Sequence, residues 1–166
     1  EARRLELELA ADPGHFGSHR AMAAAHMRLG EAQAALPHLE TCLAMRPDDV
    51  DTRFQLGRML SALGRWDEAE PHLAAAAAAR NDGDAWSELG LLHRRRGDPE
   101  RAIPAFRRAL ERDADHTPAL LNLGQLLVRT GEVEAGTELL ERHRQRAVLE
   151  DRLDHLRRPR PEGQRP

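Results

Sequence analysis

The 166-residue chain has one cysteine, no tyrosine, no lysine and only 3% aromatic residues, and each scarcity removes a class of explanation. A lone Cys42 closes no internal disulfide, so the fold does not depend on an oxidising compartment. With so few rings the core has to be aliphatic and small, and burial must come from close approach of helices carrying alanine and leucine. All 25 basic residues are arginine, a usage that reads as a GC-rich, bacterial coding sequence more than as a phosphate-binding design. No run approaches the roughly 20 apolar residues of a membrane span, and Glu1-Ala2-Arg3-Arg4 is no secretory signal. Cytoplasm is the expected compartment, with the periplasm left open. Leu5 to Ala11 read as the back half of a repeat, because Asp12-Pro13-Gly14 anticipates Arg46-Pro47-Asp48 at a distance of 34, so at least one further helix is expected upstream in the full protein.

The net charge of -3 argues against a general nucleic-acid binder. Residues 1–90 hold nine arginines against fifteen acids, a balance of -6, and residues 91–166 hold sixteen against thirteen, a balance of +3. Interspersed signs of that size mark solvated faces.

What the chain does have is register. Gly57 recurs as Gly90 and Gly124 at steps of 33 and 34, and Gly30 recurs as Gly64, Gly97 and Gly131 at steps of 34, 33 and 34. A fixed period of this size marks an array of helical hairpins. Small residues also recur on the second helix of each unit, at Ala35, Ala69, Ala102 and Gly136, with apolar knobs four residues later at Leu39, Leu73, Phe106 and Leu140. Two helices can cross at close range where no Cβ branch intervenes, and these knobs are expected to pack around the crossings. Residues Ala74 to Ala79 are six consecutive alanines, which read as helix and not as linker. Pro37, Pro71 and Pro104 sit early in the second helices, where a lost amide donor costs little.

The expected division follows the period. Residues 1–15 form the second helix of a truncated preceding repeat. Residues 16–49, 50–82, 83–116 and 117–146 form four repeats. Residues 147–158 form a capping helix, its Leu149, Leu153 and Leu156 stripe covering the last repeat, and residues 159–166 form a disordered tail.

These residues resemble the tetratricopeptide repeat family. The third unit carries the likeness best, with Trp86, Leu89, Gly90, Ala102, Phe106 and Ala109, and the second follows with Leu56, Gly57, Ala69, Leu73 and Ala76. The resemblance covers residues 16–144. Departures stand at His26, Leu60, His93 and Leu127, where the family prefers an aromatic ring, at His19 and Arg53, where it prefers a bulky apolar residue, and at His143, where it prefers a small one. The resemblance implies an all-α, right-handed α-α superhelix of about four helix-turn-helix repeats with a C-terminal capping helix. It also implies that the first helices line a concave groove that holds a partner's peptide or helix. The groove residues it implies here are Arg20, Met27, Arg28, Phe54, Arg58, Leu91, Arg94, Arg95, Leu121, Gln125 and Arg129. Arginine outnumbers Asp51 and Asp84 along that face, which favours acidic or C-terminal carboxylate ligands with apolar anchors near Phe54, Leu91 and Leu121. The lysine and asparagine clamp by which one subfamily binds chaperone tails is absent.

Hidden chemistry finds little support. Nine histidines invite a metal, through His15, His19 and His26 or through His38 and His72, yet no CxxC, HExxH or carboxylate cluster joins them, and no metal or other cofactor is expected. Cys42 falls at a buried small-residue position without a base, a poor nucleophile. Arg94-Arg95-Arg96 ends a helix, where cations meet the negative dipole end. The sequence therefore points to a non-catalytic protein-interaction scaffold. The alternatives are a recruiting or regulatory segment of a larger multidomain enzyme, or a self-associating assembly module.

Overall fold

The computed structural model describes residues 2–157, and every regular element among them is a helix. A single helix, α1 (Ala2–Ala11), precedes four hairpins. These are α2 (Phe16–Arg28) with α3 (Ala32–Met45), α4 (Val50–Ala62) with α5 (Trp66–Arg80), α6 (Gly83–Arg95) with α7 (Pro99–Arg112), and α8 (Thr117–Thr130) with α9 (Val133–Arg157). Each helix packs on the next in sequence, and the first helices of neighbouring hairpins also touch, α4 on α6 and α6 on α8. Contacts run only between near neighbours, so the chain is an all-α array of stacked helical pairs.

The first helix of every hairpin starts in the same way. His15, Asp49, Asp82 and His116 each use a side chain to accept the amide three residues on, at Ser18, Thr52, Ala85 and Ala119. That satisfies one of the donors a helix start leaves free. The Asp49 carboxylate takes the Thr52 amide at 2.7 Å, and this bond holds the Asp49 carboxyl below its usual 3.8. The ionised cap is therefore in place at neutral pH, and its contribution is lost only as pH falls below that value. Asp49→Ala is expected to lower unfolding free energy by about 1 kcal/mol in a urea titration at neutral pH.

The turns inside hairpins share one device too. Gly64 adopts φ +75°, a left-handed conformation natural to glycine, and the following amide of Arg65 reaches back to the carbonyl of Leu60 at 3.0 Å. Gly30, Gly97 and Gly131 repeat this conformation in register.

Within each hairpin the crossing is as close as the small residues imply. A Cβ on Gly57 would lie 2.8 Å from Leu73 Cγ, and one on Gly90 would lie 2.8 Å from Phe106 Cδ1. At the last crossing two glycines face each other, and a Cβ on Gly136 would lie 2.7 Å from the Gly124 carbonyl oxygen. Leu39, Leu73 and Phe106 are buried, as expected of the knobs, whereas Leu140 is half-buried. The half-buried Trp86 packs against both the core that runs from Ala23 to Leu92 and the one that runs from Ala102 to Leu127, joining them.

Two features differ from expectation. Pro37, Pro71 and Pro104 are each the sixth residue of their helix, beyond the turn whose amides are free anyway, so each leaves one carbonyl without its helical donor. The second is the expected cap. α9 runs unbroken for 25 residues while its partner α8 has 14, and antiparallel pairing leaves the last three turns of α9 beyond the end of α8. Val148, Leu149 and Leu153 there are 55%, 50% and 52% exposed, so Leu149 and Leu153 cover no preceding helix, and the side chain of Leu156, the third member of the stripe, lies outside the described ones. Residues 158–166, including the expected tail, lie outside the described residues.

Candidate partner-binding groove

The first helices α2, α4, α6 and α8 each present one face to the same side of the array, and clefts form between successive pairs. Arg94 and Arg95 end α6, Gln125 and Arg129 stand on α8, and with Leu126 they line a cleft of about 420 Å³. Its lining includes three guanidinium groups and no carboxylate. Arg94 donates to Gln125 Oε1 at 3.3 Å, and Arg95 makes only long contacts to Ser61, 3.4 Å to Oγ and 3.5 Å to the carbonyl. Most of the N–H donors on these three side chains have no acceptor among the described residues, which leaves charge-assisted donors unused. All three arginines sit in the last turns of α6 or α8, where the negative end of the helix dipole offsets their mutual repulsion.

A second cleft, about 290 Å³, opens between α2 and α4. It is lined by Arg20, Ala23, Ala24, Met27, Leu39, Asp51, Thr52 and Gln55. Asp51 is engaged elsewhere, by Arg80. The lining is therefore mixed, with an apolar part from Ala23, Ala24, Met27 and Leu39 and a polar part from Arg20, Asp51, Thr52 and Gln55. Between the two clefts Arg58 on α4 reaches across to Glu88 on α6 at 3.3 Å and to Gln55 at 3.2 Å.

The chain matches the tetratricopeptide repeat family profile over residues 26–90 and 93–158. It belongs to the tetratricopeptide repeat family. Among curated proteins it is 31% identical over 102 residues to human (Homo sapiens) Protein O-mannosyl-transferase TMTC3, a match covering 60% of this chain and 11% of the relative. Among solved structures, MamA from Desulfovibrio magneticus RS-1 superposes with a TM-score of 0.82 at 23% identity, covering 90% of this chain and 85% of that one. YrrB, described as "a TPR protein with an unusual peptide-binding site", superposes with a TM-score of 0.72 at 18% identity, covering 88% and 76%. The structural likenesses concern the fold. The chain spans less than a quarter of the length of the curated relative.

Within this tetratricopeptide repeat array the expected groove residues do not form one continuous lining. Arg94, Arg95, Gln125 and Arg129 come together in one cleft, and Arg20 and Met27 in the other. Leu91 and Leu121 are half-buried, and Leu91 packs into the second core. Arg28 is exposed at the end of α2 and lines neither cleft. Phe54 is the clear departure: it is buried at 5% exposure, with Arg80 4.6 Å and Arg58 5.6 Å from its ring centre, and so serves the core instead of offering an anchor. Leu39, expected as a packing knob, and Thr52, which the sequence did not single out, both line the α2–α4 cleft.

Among the described residues no group of histidine, cysteine and carboxylate side chains is arranged to hold a metal ion, and no helix is long and apolar enough to cross a membrane.

Proposed function

We propose that this tetratricopeptide repeat array is a non-catalytic scaffold that holds a partner polypeptide along the face formed by α2, α4, α6 and α8, with an acidic group of the partner seated among Arg94, Arg95 and Arg129. The observation that carries this reading is the cleft lined by three arginines, a glutamine and no carboxylate. An anion entering it meets several unused donors without having to break an ion pair. The Arg58–Glu88 pair neutralises the middle of the face, and Ala23, Ala24, Met27 and Leu39 give the α2–α4 cleft an apolar part. The preferred occupant thus has an apolar side chain at one end and carboxylates at the other. With first helices about 10 Å apart, the two clefts lie about 20 Å apart, or about six residues of extended chain.

The test is binding of a synthetic peptide panel in which leucine and a pair of aspartates are separated by different spacings. Wild type is expected to favour acidic members with the roughly six-residue spacing. Arg94→Glu/Arg129→Glu is expected to weaken them about tenfold at low salt while leaving the helical circular dichroism unchanged. Arg58 is not the residue to reverse, because it already neutralises Glu88. Equal affinity of the reversed variant for acidic and neutral peptides, matched by the same indifference in wild type, would remove the groove from consideration.

A second reading has its own observation. A relative named as an O-mannosyl-transferase contains the matching segment within 11% of its length, so the array could serve as the recruiting part of a larger enzyme. That reading keeps the groove and changes only what it is attached to. Self-association is the third, resting on the exposed Val148, Leu149 and Leu153 of α9, and light scattering decides it.

A further inference from the structure

The first hairpin contains a histidine cluster that the groove does not use. His19 and His26 stand on α2, and His38 stands on α3. His19 Nδ1 lies 2.9 Å from His38 Nδ1, and His19 Nε2 lies 2.9 Å from the Pro13 carbonyl oxygen. The His26 ring stacks on His38, with centroids 5.8 Å apart and planes inclined by 12°, while His26 Nδ1 lies 2.7 Å from Glu31 Oε2.

Proton bookkeeping at this contact is restrictive. A carbonyl oxygen only accepts, so His19 Nε2 carries a hydrogen. Across the Nδ1 to Nδ1 contact one nitrogen must donate and the other must offer a lone pair. The pair therefore keeps its bond with one added proton on either ring. It cannot keep it with two, because two imidazolium rings would meet N–H against N–H.

We propose that His19 and His38 form an acid-sensitive latch between α2 and α3, closed while the pair holds at most one added proton and opened by the second. The surrounding charges act in a definite sense. From α2, His26 adds a further cation on protonation, and Glu31 at the start of α3 offsets that charge through its own contact with His26. Burial, then the charges of His19 and His26, push the His38 imidazole below its usual 6.5. The closed form thus takes up this proton less readily than the open form. The latch stabilises fully above pH 6.5 and is lost as pH falls below it.

Register confines the device to one end of the array. One repeat on, Arg53 and His72 take the places of His19 and His38, and His72 is likewise pushed down, by burial first and then by Arg53, against the opposing Glu40 and Glu68. In the next two repeats the same places hold Trp86 with Ala105 and Leu120 with Leu139, which do not titrate. Parting α2 from α3 dismantles the cleft floored by Met27 and Leu39 and leaves the cleft of Arg94 and Arg129 standing. Acid would therefore release an occupant from one end of the face only.

The chain carries its own reporter. Cys42 is its single cysteine, lies on α3 and is fully buried in the closed hairpin. Its reaction with a pyridyl disulfide reagent, normalised at each pH to a small free thiol, follows opening without any partner. Opening is expected to rise about ten- to thirtyfold between about pH 7.5 and about pH 5, the factor for one imidazole proton bound only in the open form. His38→Asn keeps a donor beside His19 but does not titrate, and it should flatten the step to less than about threefold. His19→Leu/His38→Leu, which copies the Leu120–Leu139 pair of the last hairpin, should flatten it as well and decides the matter if the asparagine variant fails to fold. A step present in wild type and lost in a folded variant supports the latch. A wild type without the step, or a step that persists undiminished in both variants, overturns it.

Discussion

Gly136→Val is expected to lower unfolding free energy by about 3 kcal/mol or more and to free α9 from α8. A Cβ at Gly136 would lie 2.7 Å from the Gly124 carbonyl oxygen, 2.7 Å from Val128 Cγ2 and 2.8 Å from the Val128 amide nitrogen. Two of those three atoms are backbone, so neither can swing aside as a side chain would. The only relief is separation of the helices along their length. The gain from removing a helical glycine is about 1 kcal/mol at most, and smaller for a β-branched residue, so the steric term wins. Because contacts join only neighbouring helices, the loss should be local. Urea titration measures its size, and hydrogen exchange should place the new openings in residues 117–157 and not in α4 or α5. A loss below about 1 kcal/mol would mean that this crossing has slack the distances deny.

The second large effect concerns the aromatic knob. Phe106 is fully buried against Gly90, whose absent Cβ would meet three of its ring carbons at 2.8 to 3.0 Å. Phe106→Ala is expected to cost about 3–5 kcal/mol, the range for emptying a buried ring site that cannot collapse. Phe106→Leu should cost far less, about 1 kcal/mol, because the same place in the other hairpins holds Leu39, Leu73 and Leu140. The two residues should also be coupled. Gly90→Ala ought to cost less in a Phe106→Ala background than in wild type, because the ring carbons that its Cβ would meet are then gone. Additive losses in the double variant would contradict the contact.

Register made the array legible in the sequence, because a hairpin that cannot bury its own face must repeat the same small and bulky residues at the same spacing. Gly57, Gly90 and Gly124 carry that constraint directly, and the structure places each of them against the knob expected of it. The clefts were partly legible. The family resemblance assigns Arg94, Arg95, Gln125 and Arg129 to one face, and in the structure they converge. Phe54 was misplaced because its position on the helix says nothing about Arg58 and Arg80, two long side chains that close over its ring. The overhang of α9 was hidden for a related reason: an apolar stripe implies a covering surface, but whether α8 is long enough to supply one depends on where α8 stops. The contact between His19 and His38 was out of reach, since it depends on the packing of α2 on α3 and not on the pattern of either helix.

Serial connection has a mechanical corollary. With contacts confined to consecutive helices and to the first helices of neighbouring hairpins, tension applied at the two ends passes through each hairpin in turn, with no long-range strut among the described residues to share it. Such a chain stretches like a row of clasps of unequal strength and yields at its weakest one first. In acid the clasp fastened by His19 and His38 becomes the one to give way, so the fold would pay out length from its amino-terminal end while the arginine-lined end kept its grip.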